Sequence, residues 1–129
     1  MKTISKYIKL TLGTVCTTVL MYSCGKQKFP EVKIVSPANG QVFIAPQVVN
    51  VTANLYDDGD ALAWESLFVI KENTAHDTVV NLAQYKFLFG KYVIEKSFTT
   101  EPNTTYKIIA GAWGGHGNFK YDSIIIKAN

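Results

Sequence analysis

Apolar residues return at every second position through much of this chain, and that period predicts strands. In EVKIVS, Val32 and Ile34 share one face while Glu31 and Lys33 take the other. The clearest case is VVNVTANLY, where Val49, Val51, Ala53 and Leu55 fall together and Asn50, Thr52 and Asn54 alternate with them, the pattern of a half-buried strand. ALAWESLFVIK places Leu62, Trp64, Phe68 and Ile70 on one parity, and TYKIIAGAW does the same for Tyr106, Ile108, Ala110 and Ala112. TVVNL, KYVIEKSFT and FKYDSIIIKA read as further strands, and VFI before Pro46 as a short edge segment. Between them stand the clusters SPANG, DDGD, KENTAHD, EPNT and GGHGN, rich in the residues that turns favour. AQYKFLFG is dense in aromatic residues and shows no decisive period.

No segment sustains a helical period with caps, so the expected class is all-β. About seven short strands in about 100 residues, with turn signals about every 8–12, is the pattern of an immunoglobulin-like β-sandwich. A small barrel is the competing architecture. Trp64 falls on the third major strand, where such sandwiches often bury an aromatic ring. An aromatic share of 12% and an apolar share of 47% supply the surface a core needs, which argues against disorder.

The first residues follow a different grammar. A basic opening, MKTISKYIK, leads into an apolar stretch over residues 10–22, and Ser23 then precedes Cys24. That order is the order of an export signal. The stretch is interrupted by four threonines and is shorter than the roughly 20 apolar residues a spanning helix needs. LMYSC resembles the lipobox of bacterial lipoproteins: Leu20 and Met21 give the aliphatic part, Ser23 the small residue and Cys24 the acceptor, while Tyr22 departs from the usual choice. The resemblance implies cleavage before Cys24 and acylation there, palmitate among the chains, with the membrane as partner. Two or more acyl chains give stable anchoring. Cys16, the other of the two cysteines, falls in the removed segment. The expected organisation is a signal peptide at 1–23, a lipidated tether at 24–29 and the sandwich at 30–129. Gly25 rather than Asp after the anchor implies, by the same resemblance, the outer membrane of a bacterial cell envelope. Whether the domain faces the periplasm or the cell surface stays open.

Charge adds one exclusion. All thirteen basic residues are lysine, and once Lys2, Lys6 and Lys9 are set aside with the signal, the other ten face ten acidic residues. Without arginine or a basic stripe, the phosphate and base contacts of nucleic-acid recognition have no footing.

VKIVSPANGQVF, VNVTANLYDDGDAL and YKIIAGAWGGHGN together resemble the Ig-like domains of bacterial surface and periplasmic proteins. The likeness runs from about residue 30 to residue 128 and departs at Gly114, where an Asp often stands. It implies fibronectin- or cadherin-like sandwiches serving adhesion, ligand binding or spacing, and no particular reaction.

Three groups carry candidate chemistry. Asp57, Asp58 and Asp60 are close enough to offer carboxylates to calcium, but the spacing is not that of an EF-hand, and a plain acidic turn is the favoured expectation. Trp113 falls on the outward parity beside a glycine-rich loop holding His116 and Asn118. A flat ring there can stack on a sugar or a side chain, or it can pack under the loop. Tyr85, Phe87 and Phe89 belong to the aromatic run and either fill the end of the sandwich or present a partner surface. His76 and His116 are the only histidines, too few for a zinc site without help. No nucleophile elbow, phosphate loop or dinucleotide fingerprint occurs. The expected function is a lipid-anchored, non-catalytic binding or accessory module for a protein or glycan partner, without a cofactor. The alternative is a structural spacer or assembly subunit of an envelope complex.

Overall fold

Alternation becomes architecture most directly in β3, Val48–Lys71, and β5, Thr104–Gly114. Val49, Val51, Ala53 and Leu55 of β3 and Tyr106, Ile108, Ala110 and Ala112 of β5 are all buried, as their parity predicts. The other strands are β1, Glu31–Ser36; β2, Val42–Phe43; β4, Thr78–Thr99; and β6, Phe119–Ala128. This computed structural model describes residues 29–73, 75 and 77–129, and no helix occurs among them. The signal segment and residues 24–28 of the tether, Cys24 among them, therefore lie outside the described residues, as do Thr74 and His76.

The strands form two sheets of an Ig-like sandwich. Residues 48–57 of β3 pair with β1 on one side and with residues 90–99 of β4 on the other. Residues 62–71 of β3 pair with the first half of β4 and with β5, and β6 and β2 complete that second sheet. β3 and β4 thus run through both sheets as one bent ribbon. TVVNL and KYVIEKSFT, expected as separate strands, are joined through AQYKFLFG into β4. The ribbon also corrects the turn expected at DDGD. The strand continues through the corner, where residues 58–61 lie opposite Phe89 alone, between the pairs Asp57–Gly90 and Leu62–Leu88. A bulge of this kind bends a strand without reversing it.

The slip has a second consequence. Leu62 is buried, but the ladder shifts again between Leu62 and Trp64, so beyond it Leu67 and Val69 face the core. Trp64, Phe68 and Ile70 take the outer face and are half-buried. The shared parity expected for Leu62, Trp64, Phe68 and Ile70 does not survive this bulge, and Trp64 is not the buried core aromatic.

The buried core draws on both sheets, from Ile34 to Ala128, so residues 29–129 carry their own core. Its larger aliphatic members, such as Val51, Leu55, Leu67 and Ile108, each contribute about 1.5–3 kcal/mol on burial. Tyr106 is fully buried near the start of β5, and its hydroxyl accepts the Glu101 backbone N–H at 2.7 Å. This is the tyrosine corner seen in Ig-like domains. At the sandwich's side, Asp122 of β6 accepts the Ile34 N–H of β1 at 2.8 Å and ties the edges of the two sheets together.

Candidate binding surface

The second sheet turns one face inward and one outward, and directly opposed residues on antiparallel neighbours share a face. Trp64 is opposite Tyr85 on β4 and Trp113 on β5, and Trp113 is opposite Phe119 on β6. Tyr85, Trp64, Trp113 and Phe119 therefore form one aromatic row across four strands, at the strand spacing of about 4.8 Å. Tyr85 is 67% exposed and Trp113 45%. The Trp113 and Phe119 rings are 5.0 Å apart, and Phe119 stacks on Tyr121 at 6.0 Å. The rings are visible from outside because the next positions are small: Ala83, Ser66 and Gly111 lie in register beside the row. At Gly111 a side chain has no room, since a Cβ would stand 3.0 Å from the Phe119 ring and 2.8 Å from Ser66 Oγ.

The β5–β6 turn fixes one end of the row. Trp113 Nε1 donates to the Gly117 carbonyl at 2.9 Å, and Gly114 N–H donates to the Asn118 carbonyl at 2.8 Å. Gly117 has φ of 80°, a conformation open to glycine at little cost. Trp113 is pinned beside its turn by its polar edge while its ring faces outward. A shallow depression of about 350 Å³ lies between Trp64, Trp113 and glycines 114, 115 and 117. His116 is exposed on the turn and Asn118 is half-buried.

Phe87 and Phe89 meet edge to face at 5.7 Å, beyond the row where β4 crosses between sheets. Both are exposed. Of the acidic trio, Asp57 is buried, with Oδ2 2.9 Å from where a Gly114 Cβ would stand. A side chain at position 114 would therefore have to displace the Asp57 carboxylate. The side chains of Asp58 and Asp60 lie outside the described residues, and among the described residues no three His, Cys, Asp or Glu side chains gather.

One buried charge escaped the sequence. Glu65 is on the inner face and 1% exposed. Its Oε1 accepts from Gln84 Nε2 and lies 3.4 Å from Lys86 Nζ, while Oε2 has no hydrogen-bond partner among the described residues. Lys86 also donates to the Tyr92 hydroxyl and stands 4.5 Å from the centre of that ring. The hydrogen bond to Tyr92 and the nearby Glu65 charge raise the Lys86 pKa against the opposing effect of burial.

The row joins Trp113 and Tyr85, which the sequence offered, to Trp64 and Phe119, which it did not. The available signal was in GGHGN: Trp113 and Phe119 flank a tight turn, and residues flanking a hairpin turn face each other.

An all-β Ig-like domain of two sheets is what these strands define. Among solved structures it is similar to fibronectin(III)-like modules of CbhA from Clostridium thermocellum, with a TM-score of 0.50, 15% identity, and coverage of 77% of this chain and 100% of that one. A chain of the human seminal-plasma complex of zinc 2-glycoprotein and prolactin-inducible protein gives a TM-score of 0.57 at 11% identity, covering 83% of this chain and 100% of that one. Superoxide reductase (neelaredoxin) from Ignicoccus hospitalis gives 0.54 at 13% identity, covering 81% and 83%. At such identities the likeness is one of fold. No protein-family model and no characterised protein matches the sequence.

Proposed function

We propose that this chain is a non-catalytic Ig-like binding or accessory module, held by lipid at Cys24 in a bacterial envelope, most consistently the outer membrane. The partner is a protein or a glycan engaged across the second sheet. The observation that carries this reading is the row of Tyr85, Trp64, Trp113 and Phe119, in register on four strands, with Tyr85, Trp113 and Phe119 exposed. Monomeric domains seldom leave such apolar surface uncovered without a use. Flat aromatic rings offer a large contact area at little entropic cost to either kind of ligand. One neighbouring fold, that of the prolactin-inducible complex, takes part in a protein–protein assembly.

The anchor reading rests on the LMYSC lipobox and is tested by intact-mass spectrometry of membrane-extracted protein; an unmodified Cys24 at the mature terminus rejects it. The binding reading is tested by titrating envelope glycans while following tryptophan emission, and by comparing partner recovery from gently solubilised membranes between wild type and a Tyr85→Ala/Trp113→Ala variant. Glycan-dependent change in emission, or a complex lost in the variant, is expected. A stoichiometric complex indifferent to that variant favours the spacer or assembly-subunit reading. That reading has its own support in β4, which pairs with β3 alone among the described strands and leaves its other edge open.

A further inference from the structure

The end of the sandwich where β3 and β4 cross carries an unusual set of exposed rings, and the chain enters the domain there. Glu31 is opposite Tyr56, and Tyr56 is opposite Lys91. One step outward, Asp57 is opposite Gly90. Pro30 belongs to the same level, because its Cδ is 3.6 Å from the Cβ position of Gly114, beside Asp57. Phe29, just before β1, and Phe89 of β4 are the next residues outward. Phe29 is 55% exposed and Phe89 74%, and Phe87 is exposed against Phe89.

Tyr85, Trp113 and Phe119 stand in the row just below this crest. At the opposite end, among the described residues, the large exposed apolar side chains are aliphatic: Val42, Ile44, Val48 and Val79. The asymmetry is that of a membrane-facing end, since Phe buries its apolar ring at the boundary of headgroups and acyl chains while Trp and Tyr favour the headgroup level. Lys91, two residues beyond Phe89, is exposed, and a long lysine stem reaches headgroups while apolar neighbours bury.

The tether decides which end meets the lipid. Phe29 follows Cys24 by five residues. At no more than about 3.6 Å per residue, the crest entry stays within about 18 Å of the Cys24 backbone whatever path the tether takes. We propose that the crest formed by Phe29, Phe87 and Phe89 is a second membrane contact, resting in the interfacial zone of the bilayer that holds the anchor. It rests on the reading of Cys24 as lipid-bearing. It orients the domain with its aromatic row at headgroup height, facing sideways.

Trp64 and Trp113, the chain's two tryptophans, lie one row below the crest and report its depth. Full lipidated protein is reconstituted into phosphatidylcholine vesicles with and without acyl-brominated phosphatidylcholine, and the same sample is checked for acylation by mass spectrometry. Brominated lipid is expected to quench tryptophan emission. A Phe87→Ser/Phe89→Ser variant, altered only at exposed rings, is expected to stay with the vesicles and lose most of the quenching. Absent quenching in acylated, vesicle-bound wild type overturns the crest contact and leaves the anchor standing. Equal quenching in wild type and variant also overturns it, since the rings would then not set the depth. An unmodified Cys24 in the membrane-bound sample overturns the anchor and the crest contact together.

Discussion

Trp64 of β3 and Trp113 of β5 are direct cross-strand partners on the outer face of the second sheet. They nevertheless differ in setting. Trp113 borders solvent at the turn, with Nε1 bonded to Gly117, while Trp64 is half-buried between Tyr85 and Trp113. Trp64→Phe and Trp113→Phe variants isolate each indole. The emission of Trp113 is expected at longer wavelength and with stronger acrylamide quenching than that of Trp64. The reverse order would mean that the row is not arranged as described.

The bulge near Leu62 decides which residues hold the core. Leu67 is fully buried, and Leu67→Ala is expected to cost about 2–5 kcal/mol in chemical unfolding. Phe68 is half-buried on the outer face, so Phe68→Ala is expected to cost clearly less despite removing the larger side chain. A greater loss at Phe68 would restore the unshifted parity.

This pair also marks where the sequence was legible. The first half of β3 alternates Val49, Val51, Ala53 and Leu55 with Asn50, Thr52 and Asn54, so one parity alone can be buried. In the second half of β3 both parities are apolar, with Trp64, Phe68 and Ile70 against Leu67 and Val69, and the inward side includes Glu65. Periodicity cannot choose there; a bulge seen only through pairing does. DDGD has turn composition, but turn residues also suit a bulge, and only the opposed Phe89 tells them apart. Trp113's outward direction was readable from its own strand. Its union with Trp64, Tyr85 and Phe119 is a matter of register between strands, which no single segment encodes.

Lys71 links the end of β3 to the corner before β5. It donates to Glu101 Oε1 at 2.7 Å, and Asp77 lies 3.7 Å away. The hydrogen bond to Glu101 raises its pKa above the ordinary 10.5, aided by the Glu101 and Asp77 charges and opposed by burial. A lysine that holds its proton more tightly when folded contributes stability that is full below the ordinary value and lost as pH rises through the folded value. The stability advantage of wild type over Glu101→Gln is therefore expected to be level from neutral pH to about pH 10 and to shrink above it. Denaturant midpoints across that range measure it. An advantage that persists undiminished at high pH would show that the ion pair is not its source.

Glu65 is a buried carboxylate whose Oε1 is shared by Gln84 and Lys86 and whose Oε2 accepts no hydrogen bond among the described residues. Desolvating a charge costs several kcal/mol, and only good geometry with every lone pair engaged offsets it. Here one oxygen lacks that compensation. Lys86 keeps part of its side chain in solvent and retains Tyr92 as a partner. Leucine approximates the glutamate's volume and adjoins Leu67 and Val69 on the same inward parity. Glu65→Leu is accordingly expected to leave stability unchanged or to raise it by up to about 3 kcal/mol, as read from urea unfolding. A loss beyond about 1 kcal/mol, the net worth of a typical hydrogen bond, would mean that the Gln84–Glu65–Lys86 cluster holds β3 to the first half of β4 more firmly than its unsatisfied oxygen weakens it.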